Sequence, residues 1–220
     1  LERVSASSVI HYHANIHKAL KYAVKLDLIS SNPADKIERP KKERFMANFY
    51  DADEVNRLFE ISKGTKLEIP ILFGAFYGMR RSETLGMKWD AIDFERDTIT
   101  IRHTLTTVAL DGKRITVAED RTKNKSSMRT LPLVPFVKER LLELKAEQEE
   151  NRRLCGRSYV KDYTGYVCIN EIGDIIKPNY VSCGFPKLLE EHGLRRVRYH
   201  DLRHSCASLL LANGVPMKQI

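Results

Sequence analysis

Cysteine is scarce and badly spaced for chemistry. The four cysteines, Cys155, Cys168, Cys183 and Cys206, include no Cys-x-x-Cys pair, which excludes the common zinc and dithiol motifs. Scattered single thiols fit a reducing, cytoplasmic setting, where they act as small buried apolar residues. Long apolar runs are also missing. The longest candidate, "IPILFGAFYGM" at 69–79, ends in "RRSE" and is too short to span a bilayer. The opening "LERVSASSV" has no extended apolar stretch, so it does not read as a secretory signal; it reads as a chain cut within a domain. Metal-ligand spacing is nearly absent. His13 and His17 are four apart on a predicted helix, but no third ligand is nearby, so a polar or DNA-facing surface is the better reading. No internal repeat or low-complexity tract is present.

Positive charge, by contrast, is abundant. The 220 residues carry a formal net charge of +8, with an isoelectric point near 9.3. That balance points to an anionic partner, nucleic acid first and an anionic membrane second. Composition alone fits a basic protein that merely stays soluble equally well. At 42% apolar residues a sizeable core is available.

The pattern divides the chain. Residues 8–27 read as a helix capped by Ser7 or Ser8, with Val9, Ile16, Leu20, Ala23 and Val24 forming an apolar stripe. Residues 30–45 hold two prolines, many charges and no periodicity, and read as a linker. Residues 1–44 hold nine Lys or Arg against five Asp or Glu, so this piece is itself basic. A second domain begins at about residue 45. Asp51 and Glu54 make a capping box for a helix over 51–62. A helix over 66–77 is broken by Gly78, and a short one follows. The run "TITIRHTLTTVA" alternates and is β-branched, Asp111-Gly112 is a hairpin turn, "RITVAE" is the return strand and "MRTLPL" a third. A long charged helix covers 136–152, "GYVCIN" reads as a short strand, and helices cover 179–192 and 201–213 with Gly214 as the stop. The second domain is therefore α+β, mainly helical, with a small antiparallel sheet.

Three basic clusters stand out in it. Arg80-Arg81 follows a glycine turn; "RTKNKSSMR" at 121–129 has four positive charges and no acid; "RRVRYHDLRH" at 195–204 has four arginines and two histidines. On a helix, His200 and Arg203 lie one turn apart and face the same way. Leu202, Cys206, Leu209 and Leu210 fall opposite, so an apolar stripe is buried while His200 and Arg203 face a pocket suited to phosphate. Each cluster alone has an ordinary reading: a surface pair or a partner for Glu83, a solvated loop, a structural His-x-x-Arg. The ordered set shifts the balance.

The succession "GMRRSETLGMKWDAID", a lysine-bearing hairpin and "HDLRHSCASLLLANGV" resembles the tyrosine recombinases, or phage integrase family, and most of all the integrases of phages and conjugative transposons. "ALKYAVKLDLISSNPADKIERPK" resembles the end of that family's helical core-binding domain. The resemblance implies the end of a core-binding domain plus linker over 1–44 and the family's catalytic domain, lacking its C-terminal end, over 45–220. It implies catalytic roles for Arg80, Lys123 (or Lys125, two residues on), His200 and Arg203. Glu83, Asp201 and His204 become supporting residues, with His204 packed behind the site, and Arg81 has no catalytic role. Lys18, Lys21, Lys41, Lys42, Arg121, Lys125 and Arg198 are the expected DNA-binding residues. The implied reaction is site-specific cleavage and rejoining of double-stranded DNA through a 3′-phosphotyrosine, for integration or excision of a mobile element. It needs neither cofactor nor metal, and is carried out by a homo-oligomer, a tetramer in the full reaction, without a membrane.

The family continues beyond the His-x-x-Arg helix with a second His or Trp and then the nucleophilic Tyr. Only 17 residues follow Arg203 here, none of them Tyr. The expectation is that this chain binds DNA but forms no covalent adduct. A catalytically inactive DNA-binding regulator of the same fold and a type IB topoisomerase are the alternative readings.

Overall fold

The computed structural model describes residues 4–41, 48–110, 113–119 and 128–216. The chain divides into two compact units, residues 1–46 and 47–220.

The first unit is built on α1 (Ala6–Lys25). It starts earlier than expected. Ser5, extended at φ −65° and ψ 151°, is the N-cap, and its hydroxyl accepts the Ser8 N–H at 3.2 Å, so Ser7 and Ser8 lie inside the helix. No α1 residue is buried, and Ile16, expected in an apolar stripe, is 56% exposed. The presumed linker is partly ordered: Pro33–Lys36 form a 3-10 turn. Asn32 caps it through Ala34 N–H at 3.0 Å and donates to the His17 carbonyl at 3.1 Å. His13 Nε2 meets the Ala34 carbonyl at 3.0 Å, and His17 Nε2 pairs with Asp35 at 2.6 Å. The two histidines thus fasten the turn back onto α1.

The second unit opens with α2 (Ala52–Ser62), started by the expected capping box. Asp51 accepts the Glu54 N–H at 2.9 Å, and Glu54 accepts that of Asp51 at 3.1 Å. Next comes α3 (Glu68–Phe76), which buries every residue from Ile69 to Ala75. A helix apolar on all sides has to be central, and α3 packs against α2, α7 (Asp201–Ala212) and α4 (Arg81–Leu85).

The β-region differs from the expected single meander. The alternating run divides at Arg102-His103 into β2 (Thr98–Ile101) and β3 (Thr104–Leu110). With β1 (Ile92–Asp93) and β5 (Arg129–Pro132), β2 makes a three-stranded antiparallel sheet in the order β1-β2-β5. A separate hairpin pairs β3 with β4 (Lys113–Glu119). "MRTLPL" therefore pairs with β2, Ile99 opposite Leu131, and not with the hairpin. "GYVCIN" forms no strand element. Isolated bridges Lys88–Tyr166 and Ile169–Ile175 tie it down, because the Val167 N–H is taken by the Met87 carbonyl at 2.9 Å. Its apolar β-branched character serves burial in a loop. The long helix α5 (Pro135–Cys155) starts at a proline, as helices favour, and stops at Gly156, where φ is +53°. Then comes α6 (Pro178–Glu191).

Two close approaches set the geometry around α4. Tyr199, buried before α7, donates to the Pro70 carbonyl at 2.5 Å, which joins the end of the chain to the central helix. Gly86, just past α4, lies so near β3 that a Cβ there would stand 2.6 Å from Thr104 Cα. Backbone cannot yield as a flexible side chain can. Gly86→Ala is therefore expected to cost about 1–3 kcal/mol by overpacking, a fall of several degrees in Tm by calorimetry. An unchanged Tm would show that α4 and β3 part freely.

Candidate active site

Gly78 adopts φ +60° after α3, in the left-handed region that glycine tolerates. The Met79 N–H returns to the Phe73 carbonyl at 3.2 Å, and the Met79 side chain is buried. This turn delivers Arg80, extended, to the N-cap of α4. Its partner is Glu83, three residues on. Glu83 accepts the Arg80 N–H at 2.9 Å and the Arg80 Nη1 at 2.7 Å. Glu83 is 1% exposed, and a buried carboxylate persists as an ion only when paired. A second guanidinium completes the pairing: Arg129 Nη2 donates to Glu83 Oε2 at 3.0 Å. Burial pushes the Glu83 carboxyl up, but the hydrogen bonds from Arg129 and Arg80 outweigh it and hold it below the ordinary range.

The other half of the site comes from the start of α7. His200 stands at its N-cap and Asp201 opens it. Asp201 is buried and accepts three bonds from Arg198: from its N–H at 2.8 Å, Nε at 3.0 Å and Nη2 at 2.7 Å. Burial would raise its carboxyl, yet Arg198 holds it low. The supporting residue thus fixes the turn that presents His200. Arg203, one turn on, is half-buried and donates through Nη1 to the Gly78 carbonyl. That bond ties α7 to the glycine turn that carries Arg80. Burial, then the charges of Arg80 and Arg129, lower the affinity of Arg203 for its proton. Three guanidiniums therefore share one field. Burial, followed by the charges of His204 and Arg203, also lowers His200 below the ordinary histidine value.

The buried face of α7 is Leu202, Ser205 and Cys206, with Leu209 partly buried. Leu210, expected in this stripe, is 40% exposed. The position sequence reasoning missed is Ser205, whose hydroxyl accepts the Tyr50 N–H at 2.9 Å and donates to the Asp201 carbonyl at 3.2 Å. His204 is exposed, with its ring edge-on to His200 at 5.9 Å, so it stands beside His200 instead of packing behind the site.

The structure thus brings Arg80, Glu83, His200, Asp201 and Arg203 into one region and adds Arg129, which the sequence presents only as the end of a basic run. Lys42, Arg121, Lys123 and Lys125 lie outside the described residues. Lys18, Lys21 and Lys41 are exposed in the first unit, and Lys18 and Lys21 line a shallow face of α1 with Lys25 and Tyr22. Arg195 is committed to structure: it forks onto Glu54 at 3.1 and 2.8 Å and reaches the Phe49 carbonyl. His13 and His17 use their Nε2 atoms within the first unit. What remains is an arginine-rich concentration of charge with a histidine beside it, a set that matches the oxygens of a phosphate group.

Residues 48–220 match the model of the phage integrase family. A tyrosine recombinase XerC-like protein of Caldanaerobacter subterraneus subsp. tengcongensis is 29% identical over 198 residues, covering 88% of this chain and 49% of that protein. The prophage integrase IntR of Escherichia coli is 22% identical over 219 residues, 94% of this chain and 51% of that one. The chain spans about half to two thirds of the length of the curated relatives it matches. Among solved structures, the Tn1549 transposon integrase in complex with transposon right end DNA superposes with a TM-score of 0.79 at 17% identity, covering 99% of this chain and 70% of that one. A lambda integrase dimer bound to a COC′ core site superposes with a TM-score of 0.64 at 16% identity, covering 97% and 70%. At such identities the structural likeness speaks for the fold. Because the family model extends over the whole segment that carries Arg80, Glu83, His200 and Arg203, and the same α+β fold recurs in these integrases, this chain belongs to the phage integrase family, the tyrosine recombinases.

Proposed function

We propose that this chain supplies the DNA-binding and phosphate-activating parts of a site-specific recombinase that cuts and rejoins double-stranded DNA through a 3′-phosphotyrosine, to integrate or excise a mobile element. The observation that carries this reading is the convergence of Arg80, held by Glu83, and Arg203, held by the Gly78 carbonyl, beside His200. In the proposed reaction a tyrosine oxygen bonds to phosphorus, the bond from phosphorus to the 5′-oxygen breaks, and the leaving oxygen takes a proton. A 5′-hydroxyl of the partner strand later reverses the step, so the bond is conserved in the covalent link and no outside energy source is needed. Negative charge grows on the nonbridging oxygens as the tyrosine attacks. Arg80 and Arg203 answer it with donors fixed beforehand, each worth on the order of 3 kcal/mol of barrier.

Lys123 is the proposed acid for the leaving oxygen, with Lys125, two residues on, as the other candidate. His200, whose neutral form is favoured by the shift described above, is suited to accept the tyrosine proton or to hydrogen-bond the phosphate. Residues 1–44 are proposed as the end of a core-binding domain plus linker that adds Lys18, Lys21, Lys41 and Lys42 to the DNA contact, while Arg121, Lys125 and Arg198 add to it from the catalytic domain. Assembly as a tetramer on paired sites, and a cytoplasmic location, belong to the same reading.

The nucleophile is not among the tyrosines near this cluster. Tyr199, next to His200, is buried and bonded to the Pro70 carbonyl, and burial raises its phenol. The Tyr77 hydroxyl accepts the Val134 N–H at 3.3 Å, and that of Tyr50 is given to the Arg195 carbonyl. These 220 residues alone are therefore expected to bind DNA, with affinity falling steeply as salt rises, and to form no covalent adduct. A flat salt response in a filter-binding titration, or an adduct on a denaturing gel, would contradict this.

In the full-length protein, Arg203→Ala is expected to lower single-turnover cleavage of a suicide substrate by about 100-fold or more, with a far smaller loss of DNA binding. Undiminished cleavage sinks the assignment. A wild-type protein that binds but never cleaves is the inactive regulator, and one that relaxes supercoils as a monomer is the topoisomerase.

The His200 shift has a definite sign. Its neutral form is favoured in the folded protein, so its contribution to stability is present above the unfolded histidine pKa and is lost as pH falls. NMR titration is expected to place its midpoint below 6.5, the ordinary value. His204→Ala should move it upward by removing a like charge. A midpoint at the ordinary value in wild type would refute the described environment.

A further inference from the structure

We infer that Arg129 is a positioning residue for the proposed strand-transfer step: from the head of β5 it clamps Glu83, fixes Arg80 through it, and offsets the Glu83 charge so that Arg80 keeps its own for the phosphate. This rests on the reading of Arg80 and Arg203 as phosphate-binding groups.

The first ground is geometric. Glu83 Oε1 receives Arg80 Nη1 at 2.7 Å, while Oε2 receives both the Arg80 N–H at 2.9 Å and Arg129 Nη2 at 3.0 Å. Arg129 shares the oxygen that holds the Arg80 backbone, so it limits how far the carboxylate can rotate or withdraw. Arg129 is itself held in the sheet, where its backbone pairs with Ile101, and its side chain is mostly buried.

The second ground is charge. A carboxylate bonded to Arg80 alone would cancel that guanidinium for any ligand a few ångströms further out. With Arg129 present, a second guanidinium bonds the carboxylate that holds Arg80, so Glu83 does not draw on Arg80 alone. A phosphodiester brings one negative charge, and its transition state gathers more on the nonbridging oxygens. Arg203 is sensitive to both Arg80 and Arg129, so the field of Arg129 reaches the same place.

The third ground is connectivity. Lys123 lies six residues before Arg129 in the chain. The strand that Arg129 opens thus follows the proposed acid closely in the chain, and its first residue is bonded through Glu83 to Arg80.

The test uses the full-length protein, with single-turnover cleavage of a suicide substrate at saturating DNA and a separate DNA affinity measurement. Arg129→Gln is expected to slow cleavage by about 10- to 100-fold while the Kd changes by less than about threefold. Arg129→Lys, which keeps the charge, should recover the rate to within about tenfold of wild type. Arg129→Gln combined with Glu83→Gln restores the net charge and should cleave faster than Arg129→Gln alone. A merely structural ion pair would show that rescue too; what it would not show is a loss of rate at unchanged Kd that the charge-keeping Lys variant recovers. If Arg129→Gln alone does not fold, Arg129→Lys carries the test: cleavage within about tenfold of wild type at unchanged Kd supports the offset, and a larger loss overturns it. Wild-type rates in Arg129→Gln, or equal rates in the Lys and Gln variants, also overturn the inference. Failure of the underlying reading looks different, since Arg203→Ala would then cleave as well as wild type.

Discussion

A single buried carboxylate organises this site. Glu83 is out of water, and an ion so placed is stable only if its oxygens are fully engaged. Its partners come from α4, which supplies Arg80 backbone and side chain, and from β5, which supplies Arg129. The same constraint reaches α7 indirectly, because Arg203 donates to the carbonyl of Gly78, two residues before Arg80. Break the Glu83 pairing and both arginines on it lose their fixed direction. Donors can act on developing charge without reorganisation only when they are already in place.

The surrounding fold serves to hold those elements still. The apolar helix α3 is the hub, and Tyr199 pins the approach to α7 onto it through the Pro70 carbonyl. Ser205 binds the α7 interior to Tyr50, at the start of the second unit. Asp201 accepts three bonds from Arg198 and stiffens the turn before His200. The Tyr199 and Ser205 contacts join residues far apart in sequence. The first unit is of another kind: its turn at 33–36 is fastened locally to α1 by Asn32, His13 and His17.

Much of this was legible from residues alone, wherever the determinant is local. The Asp51–Glu54 capping box, the all-apolar α3, Gly78 and Gly214 act through a few neighbouring residues, and α2, α3, α5 and α7 lie close to where the pattern puts them. Errors arose where a distant partner decides. "GYVCIN" has strand composition, but it is paired through the isolated bridges Lys88–Tyr166 and Ile169–Ile175 and no ladder extends from them among the described residues, so it is a tied loop. "TITIRHTLTTVA" alternates throughout, yet Gly86 against Thr104 coincides with its division into two strands in separate sheets. Leu210 has helical spacing but is 40% exposed. Ser5 outcompetes Ser7 and Ser8 as a cap because it alone has the extended backbone just outside the first turn.

The sequence by itself determined the chemistry on offer: a basic chain, two widely separated arginine-bearing motifs with His200 beside the second, and a spacing that turns His200 and Arg203 the same way on one helix. These follow from charge and from the 3.6-residue helical period, which need no long-range contact. Only the tertiary structure decided which charges act together. Arg129 joins Arg80 because antiparallel pairing with β2 sets the head of β5 beside α4, whereas Arg195 is drawn off to Glu54. Guanidiniums look alike in sequence. What separates a phosphate clamp from a structural ion pair is the partner that burial assigns to each.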